Sequence, residues 1–405
     1  MASIGNLRLG QVNSDGTTSH PSAVACTLIS PLDRDIDLKG ISNGWVISGK
    51  KGHSHIVAST PEKLDFSNTK KSGVSAITQA LDFICVQQNI TTNISNPGDN
   101  IICLYRESGL SVLNYTATFN LAISTNLSMQ VLDKYGNIKE EESAEEPKWH
   151  RSFRYYRLSQ LAGDIYEAYR NLYLAFEVLA ESCYPRGNNE REGAWVRRCF
   201  HEFHTSYNLS SFSPEYHPKP SEYLFGVLYE HVRCKLFHSR SVDAILPFYE
   251  IDASKIKDSY ECLMGVWRHI GKRVLHVSSA GGVITYQGYR TLTDKVFTDV
   301  VDVVVTADPS LVTHEDTLVS PNNYKTIKLG NCRYAGEVNP GMVSIEAIET
   351  NVSQLPQIYR LSLTAKDNLI AVSYIASGLC LEGVDRFQVR LNQRLIQGSQ
   401  PKVEF

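Results

Sequence analysis

At 405 residues the chain is longer than one hydrophobic core usually supports, roughly 250–300 residues, so two or three domains are expected. Hydrophobic residues at 42% and charged residues at 20% are the balance of an ordinary globular protein and exclude a largely disordered chain. The formal net charge of −3 supplies no global basic field, so any nucleic-acid partner must be met by a local patch.

The nine cysteines are odd in number and scattered, and no two form a C-x-x-C pair, which excludes a zinc knuckle and a thioredoxin-like motif. The opening residues M-A-S-I-G-N-L-R-L-G lack the basic-then-apolar profile of a signal peptide, and no run approaches the ~18 apolar residues of a membrane span. A reduced, cytoplasmic protein without a membrane segment is expected.

Residues 1–138 are rich in Ser, Thr, Asn and Gly with short β-branched runs, such as G-W-V-I-S-G around Trp45 and N-I-I-C-L-Y-R around Cys103. The stretch from Ser111 to Ser128 has the same character. These read as strands between turns. Val74, Ile77, Leu81 and Ile84 break the pattern, because their three- and four-residue steps suit a helix laid on a sheet. Residues 139–150 hold Glu140, Glu141, Glu142, Glu145 and Glu146, closed by Pro147. Clustered like charges repel and do not pack, so this is an exposed linker.

From 151 to 275 the periodicity turns helical. In the first helix Leu158, Leu161, Ile165, Tyr169, Leu172, Phe176 and Leu179 form one stripe, and Pro185–Gly187 ends it. A second helix runs from about Ala194 to Tyr207. The third begins at Ser221 and places Leu224, Leu228, Val232 and Leu236 at four-residue steps. The fourth, from about Ser254 to Val274, aligns Ile256, Tyr260, Leu263, Trp267 and Ile270. Four amphipathic helices of this kind imply a compact bundle. Residues 276–405 return to β texture in V-F-T-D-V-V-D-V-V-V-T-A, R-L-S-L-T-A and L-I-A-V-S-Y-I-A. The expected fold is therefore α+β and multidomain, a central helical bundle between β-rich N- and C-terminal regions. The flanks are either separate domains or one discontinuous β unit.

The third helix carries the chemistry. Its end reads R-C-K-L-F-H, with Arg233 and His238 five positions apart. In a continuous α-helix five residues turn the chain by about 500°, which points the two side chains some 140° apart. They converge only if the helix ends or loosens near Phe237. A fixed cation beside a titratable imidazole suits phosphate chemistry. The same residues would also serve to cap a helix C-terminus, where cations are favoured by about 0.3–1 kcal/mol.

Two segments, Y-E-A-Y-R-N-L-Y-L-A-F-E (Tyr166 to Glu177) and R-C-K-L-F-H, resemble the HEPN superfamily, whose four-helix bundles carry an arginine–x4–6–histidine motif. The likeness covers the helical middle only. The opening helix is also similar to HEPN-like accessory proteins of methylamine-utilisation clusters. The resemblance implies a metal-independent endoribonuclease without a cofactor, acting on RNA as a homodimer in which two motifs share a cleft. Toxin and anti-phage systems are the settings where such bundles recur. On that reading His238 transfers protons, Arg233 binds phosphate, and Glu177 reaches across the bundle to orient Arg233. Arg170, His231 and Arg240 add charge for substrate binding. Catalytic members often place Asn, Asp or His directly after the arginine, where this chain has Cys234. A catalytically silent accessory protein that binds a ligand or partner is the alternative.

Other constellations are sparser. His53 and His55 share a strand face, and His201 and His204 share a helix face, but neither pair has a third metal ligand at readable spacing. Gly281 and Gly282 lack the further glycines of a dinucleotide fingerprint and read as a turn. Cys234 has no orienting group for a thiol nucleophile.

Overall fold

The computed structural model describes residues 1–12, 18–42, 44–88, 90–95, 100–121, 149–238, 244–247, 253–277, 284–297, 301–310, 326–339, 341–355, 357–365 and 368–396. The glutamates of the expected linker, Gly281 and Gly282 lie outside the described residues. The chain is a mixed α and β protein of two compact units, Met1–Leu121 with Ile284–Leu395, and Ala122–Val283 with Ile396–Phe405. Among the described residues there are seven helices. These are α1 (Phe66–Gln88), α2 (Ser152–Leu161), α3 (Ile165–Cys183), α4 (Glu192–Tyr207), α5, α6 (Ala253–Val274) and α7 (Tyr286–Phe297). Helix α5 is composite, running without a break through Pro220–Leu224, Phe225–Arg233 and Cys234–Phe237.

The first unit answers the question the sequence left open: both flanks build one β unit. Its nine-stranded sheet has the order Arg333–Asn339, Met342–Glu349, Arg386–Leu395, Leu110–Leu121, Asn100–Glu107, Ser22–Thr27, His55–Thr60, Trp45–Gly49, Ile36–Ser42. The join is the parallel pairing of Leu110–Leu121 with Arg386–Leu395, in register from Val112↔Arg386 to Leu121↔Leu395. A parallel pair cannot be closed by a hairpin, and here the connection contains the whole helical unit. A six-stranded sheet mixes the flanks again, since Ser3–Ile4 pairs with Asn368–Cys380. Of the two alternatives left open for the flanks, these pairings fit the single discontinuous β unit.

Burial follows the sequence pattern. Trp45–Gly49 alternates buried and half-buried, whereas His55–Thr60 is buried throughout, as a central strand covered on both faces must be. Helix α1 lays Val74, Ile77, Leu81 and Ile84 on the sheet. Gly73 permits that approach, because a Cβ there would stand 2.8 Å from Val24 Cγ2. Helix α7 is an element the sequence reading missed. Val296 and Phe297 end a helix, and the strand begins only at Val301. Tyr289, Thr293 and Phe297, buried at four-residue steps, are its signal.

In the second unit α2 to α6 share one core dominated by rings. Tyr166, Tyr169, Tyr173, Phe176, Phe200, Phe203 and Tyr260 are each less than 2% exposed, and side chains of this type bury about 150–250 Å² apiece. The expected first helix is two. It stops at Leu161, and Asp164 caps a new start by accepting from the Glu167 backbone N–H at 2.8 Å. Leu158 and Leu161 are accordingly exposed rather than part of the stripe. The α5 and α6 stripes are buried as the spacing requires.

Candidate functional site

The site begins with the shape of α5. Residues Phe225–Arg233 form a π-helix, a rare, wider turn that is frequent at functional sites. Leu224, Leu228, Val232 and Leu236 fit it. Four-residue steps drift by about 40° each in a regular α-helix, and a turn that takes more residues reduces the drift. The Tyr169 hydroxyl of α3 donates to the Leu228 carbonyl at 2.6 Å. A last α-turn, Cys234–Phe237, then stops, and His238 leaves the helical region at φ −111° and ψ 83°. The break falls where the Arg/His geometry demanded it.

Arg233 Nη1 consequently lies 3.2 Å from His238 Nε2. For the guanidinium to donate, Nε2 must carry its lone pair, which puts the proton of the neutral ring on Nδ1. Arg233 Nη2 meets Glu177 Oε1 of α3 at 3.4 Å and Glu192 Oε1 of α4 at 2.5 Å. Arg233 is 8% exposed, and its guanidinium lies 4.9 Å from the Phe237 ring centre and 5.5 Å from that of Tyr229. His238 is exposed. Burial works to lower the Arg233 pKa, but the negative charges of Glu192 and Glu177 outweigh it and hold it above the usual value. Burial pushes the Glu177 carboxyl upward, the Arg233 charge opposes this, and the Glu192 charge adds to it. A cavity of about 540 Å³ opens beside this cluster, and Arg233, Glu177, Glu192, Glu181, Arg186 and His150 are among its lining residues.

Arg233, His238 and Glu177 therefore come together. Arg170 does not join them as a free cation, because its Nη2 donates to the Leu236 carbonyl at 2.9 Å and its ring neighbour is Phe237. It is Arg170, from α3, that satisfies the C-terminal carbonyl of α5, while Arg233 spends its donors on side chains. His231 is exposed on the π-helix and is not among the residues lining the cavity. Arg240 lies outside the described residues. Glu192 is the residue the sequence reading missed. An acidic side chain in the first turn of α4, where the helix dipole favours it, was the available signal.

The histidine pairs do not converge on a metal. His55 is buried and its pKa is pushed down to about 4, by burial first and by His53 second. His204 Nδ1 accepts from the Leu209 backbone N–H at 3.1 Å, while His201 lines a different cavity with Arg197 and Phe225. Among the described residues no group of three or more His, Cys, Asp or Glu is arranged to hold a metal ion, and no helix is long and apolar enough to cross a membrane. No family model, no curated protein and no solved structure matches the chain.

Proposed function

We propose that the helical unit is a HEPN-type bundle acting as a metal-independent endoribonuclease. The carrying observation is the 3.2 Å contact of Arg233 with His238 at the point where α5 ends. His238 is exposed, and once a phosphate draws the Arg233 guanidinium onto itself the Nε2 lone pair is free to act as general base. It takes the proton of a ribose 2′-hydroxyl as that oxygen attacks the adjacent phosphorus. The 5′-oxygen leaves, takes a proton from solvent, and a 2′,3′-cyclic phosphate remains. Arg233 stabilises the charge that develops on the phosphate oxygens, and Glu177 holds the guanidinium in place. Two copies pairing across this face would bring two such motifs into one cleft.

The test is incubation of purified protein with mixed RNA in EDTA. Cleavage that persists with chelator and vanishes in His238→Ala is the expected result. A specific observation favours a second reading, a silent ligand-binding accessory protein: Arg233 is already paired with two carboxylates and Cys234 follows it. Intact RNA with wild type under every condition would select that reading.

A further inference from the structure

Arg233 has five N–H donors, and their allocation is uneven. Nη1 is on His238, Nη2 is on both Glu177 and Glu192, and Nε is buried without a hydrogen-bond partner among the described residues. A phosphate binds a guanidinium best through two parallel N–H bonds, and the edge made by Nε and Nη2 is one of the two that allow it here. Half of that edge is unpartnered. On the other half, Nη2 donates to Glu177 Oε1 at 3.4 Å, while Glu192 Oε1 lies nearer, at 2.5 Å, as an ion pair and is itself buried without a hydrogen-bond partner among the described residues.

The two carboxylates differ in how they are held. Glu177 sits in the last third of α3, and its side chain is 20% exposed. Glu192 opens α4 directly after the connection from α3, lines the cavity, and is 33% exposed. Both line the cavity, but Glu177 lies within its helix whereas Glu192 is the first residue of its own and the more exposed of the two.

Resting on the phosphate-binding reading above, we infer that Glu192 occupies the place a substrate phosphate takes on Arg233 and must be displaced before an anion binds. The Glu192 charge lies against the guanidinium where a phosphate charge would lie, so it competes for the same cation and repels the incoming anion. Glu192 is thus a built-in brake on the site, and Glu177 the positioning residue that keeps Arg233 in place once Glu192 has left.

The test measures binding and does not depend on turnover. Wild type, Glu192→Gln and Glu192→Ala are titrated with a 2′-O-methyl RNA oligonucleotide, which cannot be cleaved, and separately with inorganic phosphate. Removing the competing charge should tighten binding by about tenfold, and the gain should vanish when Arg233→Met is added. Glu192→Gln keeps the size and hydrogen-bonding reach of the side chain, so it carries the decision if the alanine variant fails to fold. Unchanged or weaker binding of both probes by Glu192→Gln overturns the inference, even where wild type cleaves RNA. Tighter phosphate binding without RNA binding supports the brake and sinks the nuclease reading instead.

Discussion

The β unit and the helical unit each hold a charged triad, and the two are inverses. On the sheet, Glu346 sits between Arg333, at 2.8 Å, and Arg390, at 2.9 Å, its direct cross-strand neighbours on either side. In the helical unit a single cation, Arg233, sits between Glu177 and Glu192. The sheet triad is open at its ends, with Arg333 70% exposed, whereas Arg233 is walled in by rings. Burial works to raise the Glu346 pKa, but the hydrogen bond from Arg333 and the charge of Arg390 outweigh it and hold the carboxyl below its usual range. Glu177 is pushed the other way, by burial first, with the Glu192 charge adding to it and the shared Arg233 opposing it. An excess of cations around a carboxylate makes a stable cross-strand clamp. A buried cation shared by two carboxylates leaves one of them, Glu177, with a raised pKa.

The largest effect that separates the two triads should come from removing the central residue. Arg233→Ala leaves Glu177 and Glu192 partly buried and unpaired, and breaking a buried pair in this way costs about 3–5 kcal/mol. Denaturant unfolding followed by tryptophan fluorescence suits the measurement, since Trp149, Trp195 and Trp267 lie in the helical unit and only Trp45 in the β unit. A loss below about 1 kcal/mol would mean that Arg233 is not the keystone its contacts imply. Next is Arg170→Ala, which deprives the Leu236 carbonyl of its donor. A cost of about 1–3 kcal/mol is expected for a charged donor lost from a backbone acceptor, with hydrogen exchange accelerating at the α5 C-terminus. Unaltered exchange there would argue that the cap is incidental.

Glu346→Gln should be milder, about 0.5–1 kcal/mol at neutral pH. Its pH dependence sharpens the contrast. The folded-state pKa of Glu346 is depressed, so its stabilisation is present above the unfolded value and fades as pH falls through the folded one. The folded-state pKa of Glu177 is raised, so its contribution is full below the unfolded value and is lost as pH rises through the folded one. Acidification should therefore shrink the difference between wild type and Glu346→Gln. For Glu177→Gln, the stability relative to wild type should increase as pH rises. The same slope for both variants would contradict the opposed environments.

Much of this was readable before any coordinates. The four-residue steps of Leu224 to Leu236 marked α5, and convergence of Arg233 with His238 required a helix end near Phe237, where the helix stops. The stripes of α1 and α6 were plain because their apolar positions keep a helical period. What stayed hidden depends on long-range contact. Nothing local in Leu110–Leu121 announces a parallel partner at Arg386–Leu395. Leu158 and Leu161 continue the α3 stripe in sequence, and only the Asp164 cap tells that the helix restarts. Glu192 joins Arg233 from another helix, so no spacing rule connects them.

The central claim is that guanidinium and imidazole at the end of α5 act together on an RNA phosphate. Mass spectrometry of the ends left on an RNA oligonucleotide, digested in EDTA by wild type and by His238→Ala, tests it most directly. The account predicts 2′,3′-cyclic phosphate and 5′-hydroxyl ends from wild type and none from the variant. Ends bearing 5′-phosphate, or an identical product pattern from both proteins, would contradict it.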